Sequence, residues 1–175
     1  PQQIEDTNTW KNTYPTWRYI LWTDSMIENY VNFKWAWFLP IWNNLTPFIK
    51  KVGCVRYMWM YDFGGMYADL DLVCRKNISE LLRWNCAYVP TQNTDVNWKY
   101  NDDKASPAFL ISNKRNKLWL YMLQYITYNY TKKTMTATGP IAVANTLRYI
   151  CDNNIDLNIA FINETSVGIG SGKRN

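Results

Sequence analysis

An α/β sandwich is the fold class that the sequence predicts, on three observations. Short runs of aromatic and β-branched residues alternate along the chain with longer segments of helical apolar spacing. Turn and cap signals separate them, Gly64-Gly65 and Thr138-Gly139-Pro140 being the clearest. No internal repeat suggests a solenoid or propeller. At 175 residues the chain is long enough to bury a real core and short for two, so residues 1–175 are read as one domain.

The first strand is expected at Arg18–Trp22, RYILW, a short aromatic and β-branched run. Thr23-Asp24-Ser25 offers an N-cap for a helix through about Phe33. A long helix follows, with Thr46 as its cap, Pro47 at its first position and Gly64-Gly65 as its stop. Phe48, Val52, Val55 and Trp59 share one helical stripe and are expected to be its buried face. Met66 to Val73 returns to period two and predicts a strand, as do Cys86–Pro90 and Pro107–Ser112. Asn113–Tyr130 reads as a helix, Thr138-Gly139-Pro140 opens another to about Ile150, and Asn158–Ile162 reads as a late strand. Thr91–Lys104 is polar, acidic and long enough for a functional surface loop. The glycine-rich end, VGIGSGKRN, has no helix after it to cradle a phosphate and reads as a frayed terminus.

Composition narrows the chemistry. Hydrophobic residues make up 47%, with ten Trp and thirteen Tyr, which excludes a disordered or low-complexity chain. The net charge of +5 suits an anionic partner, but Lys and Arg are scattered without a basic run, so nucleic acid is not the expected one. Histidine is absent, which removes His-based acid–base catalysis, Ser–His and Cys–His nucleophiles and the usual His-containing metal sites. A metal would have to be held by oxygen. Cys54, Cys74, Cys86 and Cys151 show no CxxC spacing and are expected to be mostly buried thiols. No stretch is apolar and long enough to span a bilayer, and FKWAWFLPIW, Phe33–Trp42, reads as core or as a docking segment. Sequons at Asn44, Asn77, Asn129 and Asn163 are compatible with a secretory lumen.

The stretch GGMYADLD, Gly64–Asp71, carries the one dense signal. Glycines let the chain leave a helix in a left-handed conformation and turn at once into a strand. Alternation then sends Tyr67, Asp69 and Asp71 to one face and Met66, Ala68 and Leu70 to the other. Two carboxylates on a buried face need a cation, a hydrogen-bonding ligand or solvent. At the carboxyl end of a strand in an α/β sheet, a divalent metal bridging to a diphosphate meets that need. A polar strand end, with Asp69 and Asp71 exposed or paired to Arg75 and Lys76, meets it equally well.

The wider segment RYMWMYDFGGMYADLDLVC decides between them. It resembles the sugar-binding region of family 32 glycosyltransferases: Arg56, Tyr57, Gly64, Gly65, Tyr67, Asp69 and Asp71 all fall in register with the family's Arg-Tyr and Gly-Gly-x-Tyr-x-Asp-x-Asp pattern. Softer likeness extends to TWKNTYPTWRYILWTD, SPAFLISNKRNKLW and TATGPIAVANTL, so the match runs over most of Thr9–Leu147. That family includes initiating α-1,6-mannosyltransferases of the fungal Golgi, α-1,4 hexosyltransferases and bacterial and viral glycan enzymes. The resemblance implies a GT-A-like, Rossmann-like nucleotide-sugar-binding sandwich with a mixed, mostly parallel sheet flanked by helices. It implies a metal-dependent, retaining hexose transfer from a UDP- or GDP-linked sugar to a glycan, glycoprotein or other hydroxyl acceptor. The compartment implied is the Golgi lumen or, for viral members, the host cytoplasm.

Carried over by position, Asp71 and Asp69 would hold Mn²⁺ or Mg²⁺, and Asp69 would also bind the ribose or donor sugar. Arg56 would reach the donor sugar or diphosphate, Tyr67 would line the nucleotide pocket, and Trp22, Gly64 and Gly65 complete the implied substrate site. Arg56, Asp69 and Asp71 are the implied catalytic residues. The chain departs from the family at Gly53, where an aspartate usually contacts the nucleotide, and at its opening PQQIEDTNTW, where the family has a strand. It also ends before the family's closing His and Ser-Trp features, so it is expected either to be a piece of the catalytic domain or to have an altered donor site. A non-catalytic glycan- or nucleotide-sugar-binding module is the alternative function, and a viral structural protein a third. Asp95, Asp102 and Asp103 are a further candidate for the acceptor side, or else a solvated loop.

Overall fold

A computed structural model describes residues 2–83, 85–91, 105–163 and 168–171. The element order is α1 (Gln2–Thr13), α2 (Asp24–Lys34), a 3₁₀ turn (Ala36–Phe38), α3 (Leu39–Trp42), α4 (Phe48–Asp62), β1 (Gly65–Ala68), β2 (Leu72–Cys74), a 3₁₀ turn (Ser79–Arg83) and β3 (Ala87–Thr91). After these come β4 (Phe109–Ser112), α5 (Leu118–Asn129), α6 (Thr134–Ala137), α7 (Pro140–Asp152), β5 (Ile159–Asn163) and β6 (Ile169–Ser171). The candidate loop aspartates Asp95, Asp102 and Asp103 lie outside the described residues.

The main sheet has the order β1-β4-β3-β5, and β2 pairs with β6 in a separate antiparallel ribbon. β4 runs antiparallel to both of its neighbours, and only β3 and β5 are parallel. The expectation of a mostly parallel sheet is therefore corrected to a mixed one. β4 enters between β1 and β3 against their direction, and the helices α5 to α7 then supply the long crossover that lets β5 run parallel to β3.

Period-two alternation sorts the sheet into two faces. Tyr67, Ala87, Val89 and Leu110 pack into a large cluster with α4, α5 and α7, whereas Met66, Ala68, Tyr88, Phe109 and Ile111 pack on the other side with Trp10, Leu81 and Leu82. Helix α1, formed by the opening that the sequence left unassigned, covers that second face. Its Trp10 indole donates to the Leu72 carbonyl at 2.8 Å, and the ring stacks on Phe109.

Several expectations need correction. Arg18–Trp22 is not a strand: no strand pairs with it among the described residues, so its backbone has no ladder to join, and Tyr19, Ile20 and Leu21 are exposed. Pro47, not Thr46, occupies the cap position of α4, and no side chain caps that helix. The α4 stripe is also wider than the spacing implied. Gly53 to Met60 is buried without a break, because the helix runs through the middle of the fold, while Phe48 at its start is exposed. Met66–Val73 is not one strand but two, β1 and β2, which belong to different sheets and meet at a turn closed by Leu72 N–H to Asp69 O at 3.1 Å. The glycine-rich end contributes β6, so it is not simply frayed at Ile169–Ser171.

Other expectations hold. Thr23 caps α2 by accepting from the Met26 N–H at 3.3 Å. Gly64 and Gly65 both have positive φ, 64° and 81°, and a Cβ on Gly64 would lie 2.5 Å from the Lys114 nitrogen. Only glycine passes there without strain. Pro140 stands at the start of α7 with Gly139 as its cap. All four cysteines are free thiols, Cys54 and Cys74 buried and Cys86 and Cys151 partly so.

Candidate functional site

The site is assembled where α4, β1 and the turn after β1 meet. Helix α4 ends at the Gly64-Gly65 turn, so β1 folds back beside the helix that precedes it. This places Tyr67 against Arg56, whose guanidinium carbon is 5.0 Å from the ring centre. Beyond β1 the Asp69 N–H donates to the Ala108 carbonyl at 2.8 Å, adding one more rung to the β1–β4 pairing. Asp69 is thereby fixed at the sheet edge.

Two groups converge on one carboxylate oxygen. The Tyr67 hydroxyl donates to Asp69 Oδ1, and Arg56 Nη1 lies 3.6 Å from that same oxygen. Arg56 Nη1 also donates to the Pro107 carbonyl at 2.6 Å. No described residue bonds Asp69 Oδ2, and the side chain stays about one-third exposed, at 35%. Asp71, two residues on, is exposed, and among the described residues no ion pair joins it or Asp69 to Arg75 or Lys76. The exposed-or-paired alternative thus survives only as exposure, and only for Asp71.

Burial shapes the charges here. It would lower the Arg56 pKa, but the neighbouring Tyr67 and Asp69 outweigh it and the net direction is upward. The cation is secure. Burial raises the Tyr67 phenol, Arg56 partly opposes this, and the Asp69 carboxylate adds to the rise. Tyr67 therefore stays a protonated donor to Asp69 at any ordinary pH.

Two buried donors at the site have no partner among the described residues: Arg56 Nε and the indole Nε1 of Trp59. Trp59 lies one helical turn beyond Arg56, stacks on Trp22 at 4.8 Å and 25°, and stands 6.0 Å from the Tyr67 ring. The sequence reading placed Trp59 only in the buried stripe. Its missed signal is chemical: a tryptophan buried in a motif helix carries an N–H that must bond to something.

The remaining expected residues are spread out. Trp22 reaches the site through Trp59, not by touching Asp69. Gly64 and Gly65 sit at the far end of β1, where Gly65 pairs with Ser112 while Ala68 pairs with Phe109. They set the turn that delivers Tyr67 and Asp69. Gly53 faces away into the helix layer, where an added Cβ would come within 2.4 Å of Thr138 Oγ1. Tyr57, the second residue of the Arg-Tyr pair, is wholly buried and donates to the Thr138 carbonyl at 2.8 Å, tying α4 to the start of α7.

A buried arginine, a tyrosine and two adjacent carboxylates of unequal exposure form a polar centre at the edge of an aromatic wall. Among the described residues no group of three or more acidic, Cys or His side chains gathers as a metal cage. The carboxylate oxygens of Asp69 and Asp71 are of the chemical kind that a hard cation takes alongside ligand and water oxygens.

Comparison with known proteins places the chain in a family. Residues 1–88 match the family described as the glycosyltransferase sugar-binding region containing a DXD motif. The chain belongs to that family. It is 32% identical over 139 residues to inositol phosphoceramide mannosyltransferase 2 of Schizosaccharomyces pombe, covering 75% of this chain and 37% of that protein. It is 30% identical over 134 residues to a mannosyl phosphorylinositol ceramide synthase of Saccharomyces cerevisiae, covering 73% of this chain and 33% of that protein. A shorter match, 32% over 63 residues, covers 35% of this chain and 25% of an uncharacterized glycosyltransferase of Acanthamoeba polyphaga mimivirus. The chain spans about a third of the length of these two yeast relatives. No solved structure matches it.

In this member of the family the DXD pattern and the polar centre coincide. No described helix is long and apolar enough to cross a membrane.

Proposed function

We propose that the chain is the catalytic domain, or a large part of it, of a retaining glycosyltransferase that moves a hexose from a nucleotide-diphosphate sugar to a hydroxyl acceptor. The observation that carries the reading is the Arg56–Tyr67–Asp69 cluster with Asp71 exposed beside it. Mannose is the proposed hexose, because relatives of the chain are named as mannosyltransferases, and GDP is the proposed carrier, with UDP as the alternative. The acceptor class that follows from those names is the headgroup of an inositol phospholipid or phosphoceramide.

In this reading Asp69 and Asp71 would hold Mn²⁺ or Mg²⁺. The bound metal would neutralise charge on the leaving nucleotide. Arg56 presents a fixed positive charge and its unpartnered Nε to a phosphate or sugar oxygen. Trp59 offers a second N–H to the same ligand, and the Trp22–Trp59 stack forms the aromatic wall beside Tyr67. Tyr67 holds Asp69 so that one oxygen stays turned outward.

The bond from the anomeric carbon to the diphosphate oxygen breaks, and the acceptor oxygen bonds to that carbon on the same face. The acceptor proton passes to the leaving diphosphate, so no histidine base is needed.

A non-catalytic nucleotide-sugar- or glycan-binding module is the second reading, favoured by one observation. Gly53 is packed against Thr138 where family members carry a nucleotide-contacting aspartate. Release of GDP from GDP-mannose, or of UDP from a UDP-hexose, separates the two readings. Turnover in Mn²⁺ that vanishes in Asp71→Asn supports transfer. Tight binding without turnover supports the module.

A further inference from the structure

We infer that the face beside α2 is a docking surface for an anionic lipid bilayer, which would present a lipid-borne acceptor to the site. Phe33 is 82% exposed, Trp37 65%, Leu21 54%, Phe63 53% and Met26 40%. Five large apolar side chains this open on segments that meet around α2 are unusual, and ring contacts tie two of them, Phe63 and Trp37, to the aromatic cluster beneath α2. Buried Tyr30 is the hub: it contacts Phe63 at 5.7 Å and Trp22, the neighbour of Leu21, at 5.3 Å. Its hydroxyl accepts from the Trp35 indole at 3.0 Å, and Trp35 packs on Trp37 at 5.7 Å. Met26 and Phe33, four before and three after Tyr30 on α2, flank it on one side of that helix.

Charge distribution selects the occupant. Lys34 is exposed with its ammonium 5.6 Å from the Phe33 ring, and Arg115, 64% exposed, lies over Tyr61 and pairs with Asp62 at 3.4 Å. The acidic residues of α2 turn elsewhere. Asp24 and Glu28 each lie two positions from Met26, roughly 160° round the helix, and Glu28 is bound to Lys51 at 2.8 Å and to Trp42. Aromatic and aliphatic side chains edged by Lys and Arg are what an interfacial, anionic membrane surface accepts.

The patch also leads to the polar centre. Partly buried Trp22 contacts Phe63 at 6.0 Å and stacks on Trp59, which borders Tyr67 and so Asp69. A headgroup standing above the bilayer would meet the site from this side. The acceptor half of this inference rests on the lipid-acceptor reading above, whereas membrane docking can be tested without any donor sugar.

The test is flotation of the whole chain with phosphatidylcholine vesicles, with and without phosphatidylinositol, together with Phe33→Ser/Trp37→Ser and Lys34→Glu. The expected result is flotation with phosphatidylinositol vesicles that drops about tenfold or more in the double variant, since both side chains are largely open to solvent. Lys34→Glu should reduce the preference for anionic vesicles. Thermal melting unchanged from the parent chain shows that the variants remain folded. Failure of the parent chain to float, or flotation equal in all variants, overturns the proposal. So does a concentration-dependent dimer that Phe33→Ser/Trp37→Ser abolishes, because the patch would then belong to a second copy. Flotation without nucleotide binding would retain the docking surface and reject the transferase reading.

Discussion

Asp71 and Trp59 show how far apart two residues of one site can stand in their dependence on the fold. Asp71 is exposed and supports nothing, so Asp71→Ala should leave the melting temperature essentially unchanged, within about 0.5 kcal/mol of stability, while removing metal-dependent ligand binding. Trp59 is buried but its N–H is unpaired, so Trp59→Phe loses no protein hydrogen bond and should cost less than about 1.5 kcal/mol. If the N–H serves the ligand, the same substitution weakens nucleotide-sugar binding by about fivefold to tenfold, the worth of one hydrogen bond. Denaturant unfolding and titration calorimetry of the two variants check both halves. Arg56 differs from each. It is buried, shares Asp69 and the Pro107 carbonyl, and its loss in Arg56→Met should cost about 1–3 kcal/mol as well as binding.

Among the elements, the α4–β1 unit was the most legible in the sequence. Its helix, glycine turn and following strand are all dictated locally, by spacing, positive φ and alternation. The same local rules failed at Arg18–Trp22, because a strand exists only if another strand pairs with it, and pairing is not a local property. They failed again at Met66–Val73, where alternation continues through the aspartates although the chain turns from one sheet to another. Period two tells which side chains share a face. It does not tell where a strand changes partners.

Gly53 tests the packing of α4. Its missing Cβ leaves room for Thr138, so Gly53→Ala should destabilise by about 1–3 kcal/mol through overpacking, and Gly53→Ala with Thr138→Ala should recover part of that loss. Equal stability of Gly53→Ala and the parent chain in urea would show that the contact is slack.

For the whole molecule, pH dependence follows from which groups the fold perturbs. Burial raises the phenols of Tyr30, Tyr57 and Tyr67, and that of Tyr14 to about 12, all from an ordinary 10.0; it raises Cys54 and Cys86 from 9.0. Each raised pKa means that the folded state holds its proton more tightly, so stability is complete below the unfolded pKa and is lost as pH rises above it. Glu28 moves the other way. Burial alone would raise it, but the bonds from Lys51 and Trp42 prevail and lower it, so its contribution is lost as pH falls below about 4.5. With no histidine to titrate between these limits, stability should be flat from about pH 5 to pH 8 and fall above about pH 9. Thermal melts across that range would contradict this if they showed a step near pH 6.5.

What the sequence could not supply at this scale was the arrangement of parts remote in the chain. Motif spacing identified Arg56, Tyr67, Asp69 and Asp71 as a group, since all four lie within one helix–turn–strand segment. It gave no sign that Pro107 and Ala108 would brace Arg56 and Asp69, or that α1 would back the sheet. The aromatic face around Tyr30 is of the same kind, built from segments that meet only after folding.

The most direct test of the central claim is titration calorimetry of the chain with GDP and UDP, with and without Mn²⁺, beside Asp71→Ala. Binding of one nucleotide that requires Mn²⁺ and disappears in the variant is the predicted result. Binding that is indifferent to Mn²⁺ and to Asp71, or no binding of either nucleotide by folded protein, would contradict a metal-dependent donor site at Asp69 and Asp71.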